Sequence, residues 1–146
     1  MLKKVLCVDD DQVTLILSKI LLDKTSFCLE TDEANNGQEA VKYFNHLPLK
    51  NNTCPPDLIF LDINMPVMNG WEFLDEFTSN HSANYPECKI VILLSNANNY
   101  DAEKANNYPS VIGFIQKPLS VASLEKLKSN KHLAKQFDLV ASEQEK

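Results

Sequence analysis

Four stretches of this chain are short and continuously apolar: residues 5–8 (Val-Leu-Cys-Val), 58–61 (Leu-Ile-Phe-Leu), 90–94 (Ile-Val-Ile-Leu-Leu) and 111–115 (Val-Ile-Gly-Phe-Ile). They do not alternate apolar with polar residues. Each therefore suits a strand covered on both faces, the condition of a buried parallel sheet. A fifth, weaker strand is expected at residues 27–31. Between the runs the period changes to that of a helix. Val13, Ile16, Leu17, Ile20 and Leu21 form one stripe; Ala40, Val41 and Phe44 form a second. Phe73, Leu74 and Phe77 form a third, and Val121, Leu124 and Leu127 the last. Asn36-Gly-Gln-Glu39 and Asn69-Gly-Trp-Glu72 each place a capping Asn three residues before a Glu, and Ser120 suits the cap of the last helix. Strand then helix, repeated five times, makes a doubly wound α/β fold with five parallel strands the leading architecture.

Composition narrows the class. A length of 146 residues suits one domain, and 44% apolar with 23% charged residues is an ordinary globular balance, so the chain is not disordered throughout. A net charge of −6 argues against a surface that coats nucleic acid. No uncharged apolar run approaches the roughly 18 residues that span a bilayer. The start, Met-Leu-Lys-Lys-Val-Leu-Cys-Val-Asp, turns acidic before a signal-peptide core forms, so a cytoplasmic protein is expected. Cys7, Cys28, Cys54 and Cys88 lack the spacing of a zinc site or disulfide frame and read as reduced thiols; His46, His81 and His132 lack ligand spacing too. With glycine only at 37, 70 and 113, the common nucleotide-binding loops cannot be written. Residues 47–56, rich in Pro and Asn, read as a long loop on the face away from the strand ends discussed next.

In doubly wound sheets ligands sit beyond the carboxyl ends of the strands. The residues there are Asp9-Asp10-Asp11, Asp62, Ser95 and Lys117. If strands one and three are neighbours, Asp9, Asp10 and Asp62 crowd at one edge. Their mutual repulsion calls for a cation, and carboxylate oxygens suit Mg²⁺ (or Mn²⁺). Lys117 adds a positive group and Ser95 a hydroxyl. Carboxylate, metal, lysine and hydroxyl together suit the holding of a phosphoryl group in transfer. Asp11 reads most simply as a helix cap.

Val8-Asp9-Asp10, Leu61-Asp62-Ile63-Asn64-Met65-Pro66-Val67-Met68-Asn69-Gly70, Leu94-Ser95 and Phe114-Ile115-Gln116-Lys117-Pro118 together resemble the receiver domain of two-component response regulators. The likeness covers residues 3–130, with 1–130 expected as the receiver domain and 131–146 as a short charged tail. It implies a flavodoxin-like sheet of strand order 2-1-3-4-5. It also implies that Asp62 is the phosphoacceptor, attacking a histidine-kinase phosphoimidazole to give an acyl phosphate. Asp10 and Asp62 would bind Mg²⁺ directly with the backbone carbonyl of Asn64, and Asp9 through a water. Lys117 would pair with phosphoryl oxygens, Lys117–Pro118 is expected to be cis, and Ser95 and Phe114 fill the switch positions. Such a chain is a phosphoacceptor that promotes its own phosphorylation and slow dephosphorylation, not an enzyme acting on other substrates.

Phosphorylation would draw Ser95 inward, let Phe114 turn in, and bias the face formed by helix four, strand five and helix five. Helix four, expected over residues 98–107, is rich in Asn and so marginal; an irregular loop is the competing reading. Phe114 lacks the hydroxyl of the family's frequent Tyr, and Ala97 with Asn64 is expected to influence dephosphorylation. A haloacid-dehalogenase-type phosphatase, with Asp9 as nucleophile and Asp11 as acid/base, leaves Asp62 unexplained and lacks a further acidic motif after Lys117, where Asp138 and the tail glutamates do not supply one. A phosphorylation-independent binding module is the other alternative. Only 29 residues follow Lys117, so a stand-alone receiver is expected, with Leu133, Phe137 and Val140 hinting that the tail extends helix five or docks. The expected partners are a histidine kinase or histidine phosphotransfer protein and a downstream protein target. No nucleic acid or membrane is expected, and the chain should be a monomer or weak dimer.

Overall fold

A computed structural model describes residues 1–49, 53–95 and 99–137. Its elements follow the predicted alternation: β1 (Leu2–Val8), α1 (Gln12–Lys24), β2 (Cys28–Ala34), α2 (Gly37–His46), β3 (Leu58–Asp62), α3 (Gly70–Asn80), β4 (Lys89–Leu94), α4 (Asn99–Ala105), β5 (Val111–Gln116) and α5 (Val121–Lys128). All pairings are parallel and the strand order is β2-β1-β3-β4-β5, a flavodoxin-like sheet. Alternate residues of the central strands feed two cores. Leu6, Val8, Ile59, Leu61, Ile90 and Ile92 meet Phe44 of α2 and Phe73 and Phe77 of α3. Val5, Cys7, Phe60, Val91 and Leu93 meet Leu15 and Leu22 of α1 and Leu124 and Leu127 of α5. Continuous apolar runs are what two such layers require, because neither face of β3 meets water.

The weakest predicted strand is displaced and longer. β2 runs from Cys28 to Ala34 and is an edge strand bearing Glu30, Asp32 and Glu33. Glu30 and Asp32 are held by the buried Lys4, whose ammonium lies 3.5 Å from Glu30 and 3.4 Å from Asp32, and Tyr43 donates its hydroxyl to Asp32 at 2.7 Å. Helix starts follow the capping chemistry. Asn69 and Glu72 bond reciprocally, and Ser120 caps α5. Asn36 caps α2 through the Glu39 N–H, but the Glu39 carboxylate bonds Asn35 instead of closing the box. The 47–56 segment is not loop throughout: residues 47–49 form a 3₁₀ turn with Leu47 buried, and residues 50–52 lie outside the described part.

Helix α1 departs from its pattern in an instructive way. The stripe that locates it is not the face that packs. Val13, Ile16, Leu17 and Ile20 are 55–62% exposed, whereas Leu15, Ser18 and Leu22 are buried. The helix is apolar on most of its circumference, so periodicity marks a helix without choosing its inward side. Its rotation is set at the start, where Asp11 caps α1 three residues after β1 ends. Val121, placed in the α5 stripe, is also exposed, while Leu124 and Leu127 are buried.

Two further segments are resolved by packing. Helix α4 forms, beginning at Asn99, so the loop alternative does not hold; Asn98 lies outside the described residues. The tail does not leave the domain at residue 130. Leu133 is fully buried in the α1–α5 core, Phe137 stacks edge-on to Phe27 at 5.3 Å, and residues 134–137 are helical. Val140 lies outside the described residues. Leu133→Ala is expected to cost about 2–4 kcal/mol, read as a lower urea midpoint at unchanged slope. A midpoint equal to the parent's would show that this segment adds nothing to the core.

Candidate functional site

The site begins with strand register. Val8 of β1 pairs with Leu61 of β3, so the next residues, Asp9 and Asp62, emerge side by side at the carboxyl edge. Asp9 and Asp62 are buried and Asp10 is exposed, and all three offer a carboxylate oxygen within 4.8 Å of the others. Asp11 does not join them. Its carboxylate accepts from the Val13 N–H at 3.0 Å and the Thr14 hydroxyl at 3.0 Å, the geometry of an N-cap. An acid/base role for Asp11 would compete with both bonds.

Lys117 arrives from the other side. It follows β5, and its N–H donates to the Leu94 carbonyl at 2.8 Å, fixing the turn against β4. The Lys117–Pro118 peptide is cis. The ammonium donates to Asp9 Oδ2 at 2.8 Å and lies 3.4 Å from Asp62 Oδ1. One cation therefore bridges two buried carboxylates across the sheet.

The β3–α3 turn holds Asp62 from behind. The Gly70 N–H donates to the Ile63 carbonyl at 2.9 Å, and a Cβ at Gly70 would stand 2.6 Å from the Asp62 carbonyl oxygen. Only glycine permits that approach. Gly37 at the start of α2 is likewise closed on Met68, donating to its carbonyl at 2.9 Å. Within the turn Val67 has φ 70° and Met68 N–H bonds Pro66 O at 2.8 Å, a strained three-residue turn for a β-branched residue.

The electrostatics follow from burial and charge. Burial first, and the Asp9 charge second, push the Asp62 carboxyl up to about 6, against the opposing pull of Lys117. Burial works to lower the Lys117 ammonium, but its bond to Asp9 and the Asp62 charge prevail and raise it. Three carboxylates with only oxygen donors fit a hard divalent cation such as Mg²⁺ or Mn²⁺. No thiol or imidazole belongs to this cluster among the described residues.

The remaining predicted residues fall around this centre. Ser95 is exposed just beyond β4, two residues past Leu93, the partner of Asp62. Asn64 is exposed two residues beyond Asp62. Phe114 is half-buried in β5. Ala97 lies outside the described residues. Sequence reasoning missed a small groove beside the acids, lined by Thr14, Leu17, Ser18 and Leu21 of α1 and by Lys117 and Pro118. The excess of apolar residues on α1 was its only trace in the sequence.

The response regulator receiver domain family matches residues 5–129, and the chain belongs to it. A two-component response regulator of Arabidopsis thaliana, ARR17, is 33% identical over 138 residues, covering 85% of this chain and 81% of that one. The crystal structure of a two-component response regulator from Cytophaga hutchinsonii has a TM-score of 0.81 at 29% identity, over 91% of this chain and 98% of that one. A complex of CheX, CheY, BeF₃ and Mg²⁺ from Borrelia burgdorferi has a TM-score of 0.67 at 26% identity, over 87% of each chain. The chain spans 36% and 65% of the length of two further curated relatives it matches. Among the described residues no helix is long and apolar enough to cross a membrane.

Asp62→Asn should stabilise the protein in EDTA at pH 7.5. A carboxyl with a folded pKa near 6 against 3.8 ordinarily holds its proton more tightly when folded. Its penalty is absent below about pH 4, grows between the two values, and is complete above about 6, on the order of 2–3 kcal/mol. The mutant's gain in Tm should therefore disappear at pH 4. A gain that is the same at both pH values would contradict a strained, ionised Asp62.

Proposed function

We propose that this chain is a phosphoryl-accepting switch of a two-component relay, with Asp62 as the acceptor. The observation that carries the reading is the buried Asp62 carboxylate at a strand end, beside two further acids and bridged by Lys117 to Asp9. Its oxygen attacks the phosphorus of a phosphohistidine on a histidine kinase or phosphotransfer protein. An O–P bond forms, the N–P bond breaks, and the imidazole leaves with the electron pair and takes up a proton. Lys117 stands ready to pair with the transferred oxygens. Asp9, Asp10 and Asp62, with the Asn64 carbonyl, would hold Mg²⁺, which supplies charge neutralisation at the acceptor. The Mg²⁺ in the Borrelia complex of a similar fold supports that assignment.

The output follows from the same charge. A phosphoryl group adds acceptor oxygens where Ser95 and Lys117 can reach them, and Phe114 and α4 respond. Helix α4 is short, and it and the segment after it contact α3. Trp71 stacks on Tyr108 at 6.0 Å, Lys104 sits 4.7 Å above the Trp71 ring, and Tyr108 donates to Asp75 at 2.6 Å. Val13, Ile16, Leu17 and Ile20 of α1 are exposed, Leu17 lines a groove with Lys117, and the stripe suits the apolar face of a helical phosphodonor.

Two measurements test this reading. Incubation with acetyl phosphate should add one phosphoryl mass in the presence of Mg²⁺, and Asp62→Asn should abolish it. No addition from acetyl phosphate or from a kinase would leave a phosphorylation-independent binding module as the better account. Leu17→Glu should still accept from acetyl phosphate but lose at least about tenfold in transfer rate from a phosphorylated kinase or phosphotransfer protein. Equal loss with both donors would remove α1 from donor recognition.

A further inference from the structure

The segment that joins β2 to α2, residues 34–37, carries no ionisable side chain, yet it meets both loops that bear the acids. The first loop follows β1. There the Asp9 N–H donates to the Ala34 carbonyl at 3.1 Å, and the Gln12 side-chain amide donates to Asn35 Oδ1. The second loop follows β3. There the Gly37 N–H donates to the Met68 carbonyl at 2.9 Å. Three bonds from one short segment thus join the loop of Asp9 and Asp10 to the turn that follows Asp62 and Asn64.

Two features of this segment are not explained by helix formation. The first is Gly37. Its φ is not in the left-handed region, so its backbone is open to other residues. Closeness is what demands glycine here. A Cβ would stand 2.7 Å from the Met68 carbonyl oxygen, 2.8 Å from the Met68 Cγ and 3.0 Å from the Asn69 carbonyl oxygen. Two of these atoms are backbone, so side-chain rotation cannot relieve the overlap, and α2 or the turn must shift. The second feature is Glu39. Its N–H donates to Asn36 Oδ1 at 2.9 Å, and a closed capping box would return its carboxylate to the Asn36 N–H. The carboxylate instead accepts from the Asn35 N–H and from Asn35 Nδ2, both at 3.3 Å. That holds the Asn35 amide with its nitrogen toward Glu39 and its oxygen toward Gln12.

We propose that residues 34–37 are a strut that sets the spacing of the two acid-bearing loops, with Gly37 and the Gln12–Asn35 bond as positioning elements of the cation site. The inference rests on the reading that Asp9, Asp10 and Asp62 hold a divalent cation. Mg²⁺ demands near-octahedral oxygens at about 2.0–2.1 Å, so a small change in the gap between the loops weakens it. Asp62 is still within β3, and Asp9 follows directly on β1. Asp10 and Asn64 lie further along, where strand pairing no longer fixes the chain. The strut acts where the sheet ends.

Binding of Mn²⁺ to the unphosphorylated full chain is read from the electron paramagnetic resonance signal of the free ion, well below the unfolding temperature. Gly37→Ala should weaken binding at least about tenfold. Gln12→Ala and Asn35→Ala remove an exposed bond, so each should keep a Tm close to the parent's while weakening binding about threefold, and the double variant should lose no more than either single one. These two decide the matter if Gly37→Ala does not fold. Leu133→Ala, destabilised through the α1–α5 core, should bind Mn²⁺ like the parent; a loss there equal to that of Gly37→Ala would reduce the strut to general stability and overturn it. Equal affinity in the parent, Gly37→Ala and Gln12→Ala would overturn the strut and leave the cation site standing. A parent that takes up no Mn²⁺, or uptake that survives Asp10→Asn, would overturn the cation site and the strut together.

Discussion

The bridge from Lys117 to Asp9 and Asp62 is the interaction around which the carboxyl edge is arranged. Two buried carboxylates repel, and the sheet brings them together regardless, because β1 and β3 are paired in register through Val8 and Leu61. A cation must stand between them, and Lys117 reaches it from β5, two strands away from β3. The surrounding features serve that placement. The Lys117 N–H is tied to β4, Gly70 lets the β3–α3 turn close on Asp62, and Asp11 withdraws from the cluster to cap α1. The same charge balance leaves Asp62 ionised with difficulty, which suits a group whose environment changes when charge is added or a cation binds.

The two ends of the sheet differ in how firmly they are held. The β2 side is pinned by the buried Lys4 and by Tyr43. The β5 side is half-exposed, bordered by a seven-residue α4 and by an open groove. Low burial is a physical condition for local rearrangement, so the β5 side is the more readily remodelled of the two. The stacking of Trp71 on Tyr108 ties the segment after α4 to the first turn of α3, one residue after Gly70, and Lys104 of α4 sits over the same Trp71 ring. Helix α4 and the segment after it are thereby connected to the helix that follows the acid edge.

Helix α1 shows how an apolar surplus becomes a surface. Leu15 and Leu22 are buried in the core with Ser18 between them, and Leu21 packs against it. The four aliphatics Val13, Ile16, Leu17 and Ile20 are more than half exposed, and Leu17 lines the groove with Lys117 and Pro118, giving that part of the carboxyl edge an apolar border. Exposed apolar area of this kind is costly to leave in water and is ordinarily retained for contact.

Much of this was legible in the chain itself. Strand runs bounded by Asp, Ser and Lys located β1, β3, β4 and β5 and named Asp9, Asp10, Asp62 and Lys117, because period and chemistry are both local properties of sequence. The caps Asn36, Asn69 and Ser120 were readable for the same reason. What sequence did not decide was any question of which side faces inward or what lies across a gap. β2 carries little apolar signal, since an edge strand is held by pairing and by charge from Lys4, not by burial of its own residues. The inward face of α1, the burial of Leu133 under the sheet, and the contact of Gly37 with Met68 depend on neighbours distant in the chain. Tertiary packing alone chooses among such faces, because a helix that is apolar on several sides, or a tail with scattered apolar residues, has local energies too similar to select one until the opposing surface is in place.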